Sequence, residues 1–348
     1  LAVIALLVTL GVGHAQDVTA GFVKKDLVLS TYRLVSACRG DVPGFLWRCR
    51  GAGLTRLRIF AVATWGGAQY MQPDNPDYWT RVEIALIQIA AARLGVDLDL
   101  EDGRSIDGDV QRARHWFLRD LGFDPTLWPA EKQEERKAYV VRWIGLLRKW
   151  GIDFRVAVIN EPLGPMEAFI KWHTEVLTDP DGCDVPTERL IQSTSRAWTN
   201  NGCWHYSGIL APHGICNAAQ IGAMPAWAAA IIEGLGLDLL YSGDGLIPFP
   251  TNEQLAGLGA AIRNDPLAIG YEMKANEEVG IGSSYMDVSV MDYTRVRAIS
   301  RTLNPDVYVG PLLFLRPPRP ETPARSRVEK TKRRQDELSK GFSGGPAA

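Results

Sequence analysis

Phe154-Arg155-Val156-Ala157-Val158-Ile159-Asn160-Glu161-Pro162 is the stretch on which the reading of this chain turns. A short apolar, β-branched run that stops at a carboxylate has the pattern of a buried parallel strand, with Glu161 delivered to its C-terminal end. Pro162 ends the strand because it has no N–H for a ladder. Upstream, Glu134 to Gly151 carries Val140, Val141, Ile144, Leu147 and Trp150 with charges between them, which is helical spacing. Helix, glycine, strand and terminal acid form one βα unit of the kind that builds a (β/α)₈ barrel, where sites lie at the C-terminal ends of the strands.

Outward from this stretch the chain alternates. Strands are expected at Leu27 to Val35, Thr55 to Val62, Val96 to Leu100, Arg189 to Ser193, Leu237 to Tyr241, Leu267 to Tyr271 and Val307 to Phe314. Helices are expected at Gly44 to Gly53, Tyr78 to Leu94, Met166 to Leu177, Ala223 to Leu235, Asn252 to Arg263 and Val288 to Leu303. With the strand before Glu161 that makes eight strands; the segment around Ala211-Pro212-His213-Gly214 is left open between strand and loop. The resulting fold class is α/β, a (β/α)₈ TIM barrel over residues 16–316. A doubly wound sheet is disfavoured, since neither a Rossmann fingerprint nor a Walker A sequence follows any strand.

Composition sets the boundaries of function. The chain has 348 residues, 46% of them hydrophobic, eleven tryptophans and a net charge of −2. A large core is feasible, and nothing global attracts nucleic acid. Residues 1–15, an apolar run ending in Gly13-His14-Ala15, read as a signal peptide too short to span a bilayer. The expectation is therefore a secreted or periplasmic protein, without stable membrane insertion once the leader is removed. Residues 317–348 are Pro-rich and then basic, and read as a disordered tail; from Arg316 onward there are nine Lys/Arg against four Asp/Glu. Five cysteines (38, 49, 183, 203 and 216) suit an exported chain with up to two disulfides. The five histidines form no His-x-His or His-Glu-x-x-His motif, so neither metal nor cofactor is expected.

The Asn160-Glu161-Pro162 unit at a fourth strand resembles clan A retaining glycoside hydrolases, the cellulases, mannanases and β-galactosidases. That resemblance implies a carbohydrate substrate and a double displacement, with Glu161 as acid/base and a second carboxylate as nucleophile at the end of strand seven. On the count above that residue is Glu272, 111 residues further on, with Glu277 and Glu278 as nearby alternatives. It also implies that Arg58 on strand two points inward beside the nucleophile, with Leu57 and Ile59 facing the helices, and that Asn160 serves a sugar 2-hydroxyl. His213 and Tyr241 are further candidates for substrate contact. The family's strand-eight tryptophan is missing, since the chain offers Phe314-Leu315-Arg316-Pro317 there; Trp65 or Trp204 is the candidate sugar platform. A competing reading rests on Asp97-Leu98-Asp99-Leu100-Glu101, whose alternation resembles chitinase-like enzymes with substrate-assisted catalysis. That motif sits on strand three rather than four, and Leu94 replaces an expected Asp. A non-catalytic barrel that binds a glycan or a partner is the third reading.

Overall fold

The structure is a computed structural model that describes residues 24–31, 42–61, 73, 75–101, 121–162, 166–194, 203–214, 218–224, 226–243, 252–274 and 293–305. Eight parallel strands follow in chain order: β1 (Asp26–Thr31), β2 (Arg56–Phe60), β3 (Gly95–Asp99), β4 (Phe154–Ala157), β5 (Leu190–Thr194), β6 (Ile209–Pro212), β7 (Asp238–Gly243) and β8 (Ala268–Lys274). They close into a barrel, β8 pairing with β1 through Leu27↔Tyr271 and Val28↔Glu272. The helices are α1 (Val42–Ala52), α2 (Tyr78–Ala91), α3 (Ala130–Lys149), α4 (Glu167–Thr178), α5 (Ala218–Gly222), α6 (Ala226–Leu235), α7 (Asn252–Asn264) and α8 (Tyr293–Leu303). The (β/α)₈ expectation holds.

Two corrections concern the strand count. The segment that the sequence left open is a strand, β6, so Asp238–Gly243 is the seventh and the strand carrying Glu272 is the eighth, one strand beyond the place that the resemblance implies for a nucleophile. Closure onto β1 is made by Ala268–Lys274, and the eighth strand expected at Val307 to Phe314 lies outside the described residues, as do residues 1–15 and 317–348.

The period-two alternation sorts each strand into two faces. Leu27, Leu29, Leu57, Ile59, Val96, Leu98 and Val156 face the helices and join the main core. Val28, Ala157, Ile191, Ile209, Ala211 and Leu240 form a smaller apolar cluster within the barrel. On α3 the residues Tyr139, Val140, Trp143, Ile144 and Leu147 are buried, the helical stripe that spacing predicts. Trp143 donates its indole N–H to the Tyr78 hydroxyl at 3.2 Å, and Tyr78 in turn donates to the Ala61 carbonyl at 2.5 Å, so this buried pair satisfies its own polar atoms. Among the described residues no helix is long and apolar enough to cross a membrane.

Charge also enters the barrel. Asp97 receives Arg56 Nε at 2.7 Å and Arg155 Nε and Nη2 at 2.8 and 2.6 Å. Arg155 reaches Asp26 as well, at 3.2 Å, and Arg56 pairs with Asp153. These groups make an ionic floor below the site.

Gly270 of β8 sits opposite Asp26 of β1, and a Cβ there would lie 2.3 Å from the Asp26 carbonyl oxygen. That obstacle is backbone and cannot rotate away. Gly270→Ala should therefore lower stability by about 1–3 kcal/mol, the usual cost of overpacking, read as a lower urea midpoint at unchanged m-value. A midpoint equal to the parent's would contradict the close approach.

Candidate active site

Arg58 is the centre of the site. It sits at the middle of β2 between Leu57 and Ile59, which turn to the helices, and it is buried to 1% exposure. Its Nε and Nη2 grip Asp99 of β3 at 2.5 and 2.8 Å. Nη2 also reaches Asn160 Oδ1 at 3.1 Å, beyond β4, and Ser193 Oγ of β5 at 2.5 Å. Nη1 donates to Glu272 Oε2 of β8 at 2.6 Å and stands 3.3 Å from His213 Nε2, just beyond β6. One side chain thus ties together strands from six of the eight positions. Burial works against its charge, but Asp99 and then Glu272 more than offset that, so its pKa stands well above the usual arginine value.

Glu161 completes the cluster from the other side. His213 Nδ1 lies 2.6 Å from Glu161 Oε1, and both residues are buried. The Glu161 backbone is in the left-handed region with φ 48°, a conformation uncommon for a non-glycine residue, and it lies between Asn160 and Pro162. The Asn160 N–H donates to the Glu101 carbonyl at 2.9 Å and the His213 N–H to the Thr194 carbonyl at 2.6 Å. The barrel ladder therefore continues past β4 and β6 to hold both residues.

The structure brings Glu161, Glu272, Arg58, Asn160 and His213 into one buried constellation. Tyr241 stands apart from it, which corrects the expectation of a substrate contact. Leu240 takes the inward position on β7, and Tyr241 turns to the helix layer, where its hydroxyl donates to Asp265 Oδ2 at 2.7 Å. Trp204 lies in a one-turn 3₁₀ helix, Cys203–Tyr206, and is 8% exposed. Trp65, Glu277 and Glu278 lie outside the described residues.

The three acids of the Asp-x-Asp-x-Glu reading do not act together. Asp97 belongs to the ionic floor and Asp99 to Arg58. Glu101 turns toward the helices, where Arg136 of α3 pairs with it at 2.7 Å. Arg136 is itself fully buried and donates Nε to His173 Nε2 at 3.0 Å. Burial, followed by the Arg136 charge, holds the His173 pKa well below the ordinary value. Sequence reasoning missed Ser193, Arg136 and His173. A serine in an apolar strand gives no signal, and a charged residue on an amphipathic helix reads as solvent-facing.

Among the described residues no cluster of three or more His, Cys, Asp or Glu could hold a metal ion. Cys49, Cys183 and Cys203 are buried, and burial pushes the thiols of Cys183 and Cys203 up to about 11; Cys38 and Cys216 lie outside the described residues.

No family model and no curated protein sequence matches the chain. Solved structures do. A GH5_18 protein from Streptomyces cattleya in complex with Manb1-4GlcNAc aligns at TM-score 0.57 and 11% identity, over 81% of this chain and 82% of that one. An endo-β-1,4-mannanase from Thermotoga petrophila aligns at TM-score 0.52 and 11% identity, over 82% and 78%. The GH113 β-mannanase AaManA from Alicyclobacillus acidocaldarius aligns at 0.50 and 10%, over 82% and 98%. The chain has their fold.

Asp97 supplies a pH test of the floor. Burial opposes its ionisation, but Arg155 and Arg56 outweigh burial and lower its pKa to about 2. The folded-state value lies below the unfolded one, so the ionised carboxylate stabilises the fold above about pH 4 and that contribution disappears as pH falls through about 2. Asp97→Asn should destabilise the protein at pH 7 by about 3–5 kcal/mol, because it leaves two buried arginines undercompensated. It should also flatten the acid limb of the stability curve. An acid limb identical to the parent's would remove Asp97 from this account.

Proposed function

We propose that this protein is a glycoside hydrolase that works by retaining double displacement, with Glu272 as nucleophile and Glu161 as acid/base. The observation that carries the reading is the convergence of two buried carboxylates on one Arg58–His213 pair at the C-terminal end of the barrel. The likeness in fold to mannanases and other glycoside hydrolases supports it and suggests β-1,4-linked mannan or glucan oligosaccharides as first substrates.

In this reaction Glu272 attacks the anomeric carbon while Glu161 gives a proton to the departing oxygen. Water then attacks the glycosyl ester, and Glu161 takes the water's proton. Arg58, 2.6 Å from Glu272, favours the ionised carboxylate that the attack requires. Because Asn160 Oδ1 accepts from Arg58, the amide presents N–H rather than oxygen away from the guanidinium, which suits donation to a sugar 2-hydroxyl. The chitinase-like alternative is weaker because Arg136 keeps Glu101 paired on the helix side of the barrel.

Glu161→Gln and Glu272→Gln should each lower hydrolysis by about 10²–10⁴-fold or more. The Glu161 variant should recover on aryl glycosides, whose leaving groups need little protonation. Glu101→Gln should cost stability rather than turnover, since it removes the charge opposite Arg136. Products followed by NMR should retain the anomeric configuration, and an activated 2-fluoro sugar should label Glu272. Inversion, labelling of Glu277 or Glu278, or an inactive Glu101→Gln beside an active Glu161→Gln would overturn the assignment. A chain that binds glycans without hydrolysing any would favour the non-catalytic barrel.

A further inference from the structure

We infer that Arg58 locks His213 in the Nδ1–H tautomer, and that the locked imidazole fixes the acid proton of Glu161 on Oε2. The catalytic meaning of that proton rests on the function proposed above; the tautomer itself does not.

A guanidinium has five N–H donors, no acceptor, and keeps its charge in proteins. Arg58 Nη1 stands 3.3 Å from His213 Nε2, so Nε2 must present its lone pair. A proton on Nε2 would set N–H against N–H and cation against cation inside a buried site. A neutral imidazole with a bare Nε2 carries its one hydrogen on Nδ1. Nδ1 is 2.6 Å from Glu161 Oε1 and therefore donates to it, leaving Oε1 the acceptor. When Glu161 is protonated, its hydrogen is on Oε2.

Among the described residues the imidazole meets Arg58 of β2 and Glu161 after β4, and Arg58 is itself held by Asp99 of β3, Ser193 of β5, Glu272 of β8 and Asn160 after β4. The arrangement recurs elsewhere in the same molecule. Arg136 Nε donates to His173 Nε2 at 3.0 Å, and His173 Nδ1 lies 2.8 Å from the Phe169 carbonyl, which requires the same tautomer.

In the first step the proton on Oε2 moves to the leaving oxygen as the glycosidic C–O bond breaks and the Glu272 ester forms. In the second, a proton from water returns to Oε2 as the ester breaks. His213 keeps its hydrogen throughout, which makes it a positioning residue.

The test is a two-bond ¹H–¹⁵N correlation spectrum of the full chain labelled with ¹⁵N-histidine, with His213 assigned by its loss in His213→Asn. His213 should show a protonated Nδ1 and a bare Nε2, unchanged between pH 5 and 8, alongside the same pattern for His173. A protonated Nε2, or an imidazolium that titrates in that range, overturns the inference whatever the hydrolysis assays give. Inactivity on every glycoside with His213 in the Nδ1–H form would sink the proposed function and leave the tautomer standing. In an active enzyme, the asparagine nitrogen of His213→Asn falls near the Nδ1 position and should hold activity within about tenfold of the parent. His213→Gln, which cannot place a donor there, should lose about 100-fold or more. Equal losses in the two variants would overturn the proton-fixing role.

Discussion

A guanidinium inside a small barrel is the constraint around which this molecule is arranged. Arg58 leaves water almost completely, and a buried charge without partners would cost several kcal/mol. The surrounding strands meet that demand together: two oxygens of Asp99, one of Glu272, the amide oxygen of Asn160 and the hydroxyl of Ser193. Each partner has to stand at the right height on its own strand, so the charge also specifies register around the barrel. Slipping one strand by a single residue would turn its partner outward and strand the arginine.

The acids of the barrel are thereby divided into kinds. Those on β3 are spent on arginines, Asp97 in the floor and Asp99 at the centre, while Glu101 is drawn to a helix by Arg136. Among the described residues, what remains facing the C-terminal end is the pair of Glu161 and Glu272, held from behind by His213 and Arg58. The left-handed backbone at Glu161 fits this division. Two linked carboxylates are aimed by constraint from the frame rather than by loose rotamers.

Much of this could be read in the sequence. Val156, Val158 and Ile159 before Asn160-Glu161 gave a strand with an acid at its end, and the alternation of Leu57, Arg58 and Ile59 gave an inward arginine. The strand count slipped at Ile209–Pro212, where four residues containing a proline offer too little pattern to separate strand from loop. That slip moved Glu272 from the eighth strand to the seventh. Tyr241 failed for a related reason. In Leu239-Leu240-Tyr241 every residue is apolar or aromatic, so period-two contrast vanishes, and only the β7–β8 register, with its shift between Leu239 and Leu240, decides which residue faces inward. Arg155 follows Asp153 by two residues, but Asp153 pairs with Arg56 and Arg189 instead. The partners of Arg155, Asp26 and Asp97, belong to other strands, and only closure of the barrel joins them.

The ionic floor has an evolutionary consequence. Arg56 and Arg155 share Asp97, Arg155 reaches Asp26, and Arg56 reaches Asp153, so Asp97 cannot change without leaving two arginine charges undercompensated in the low-dielectric interior. Replacement by apolar residues would be tolerable only as a set. A lineage passing through single substitutions therefore crosses a fitness valley at this end of the barrel. Diversification is channelled to the segments beyond the opposite ends of the strands, where one side chain can change at a time.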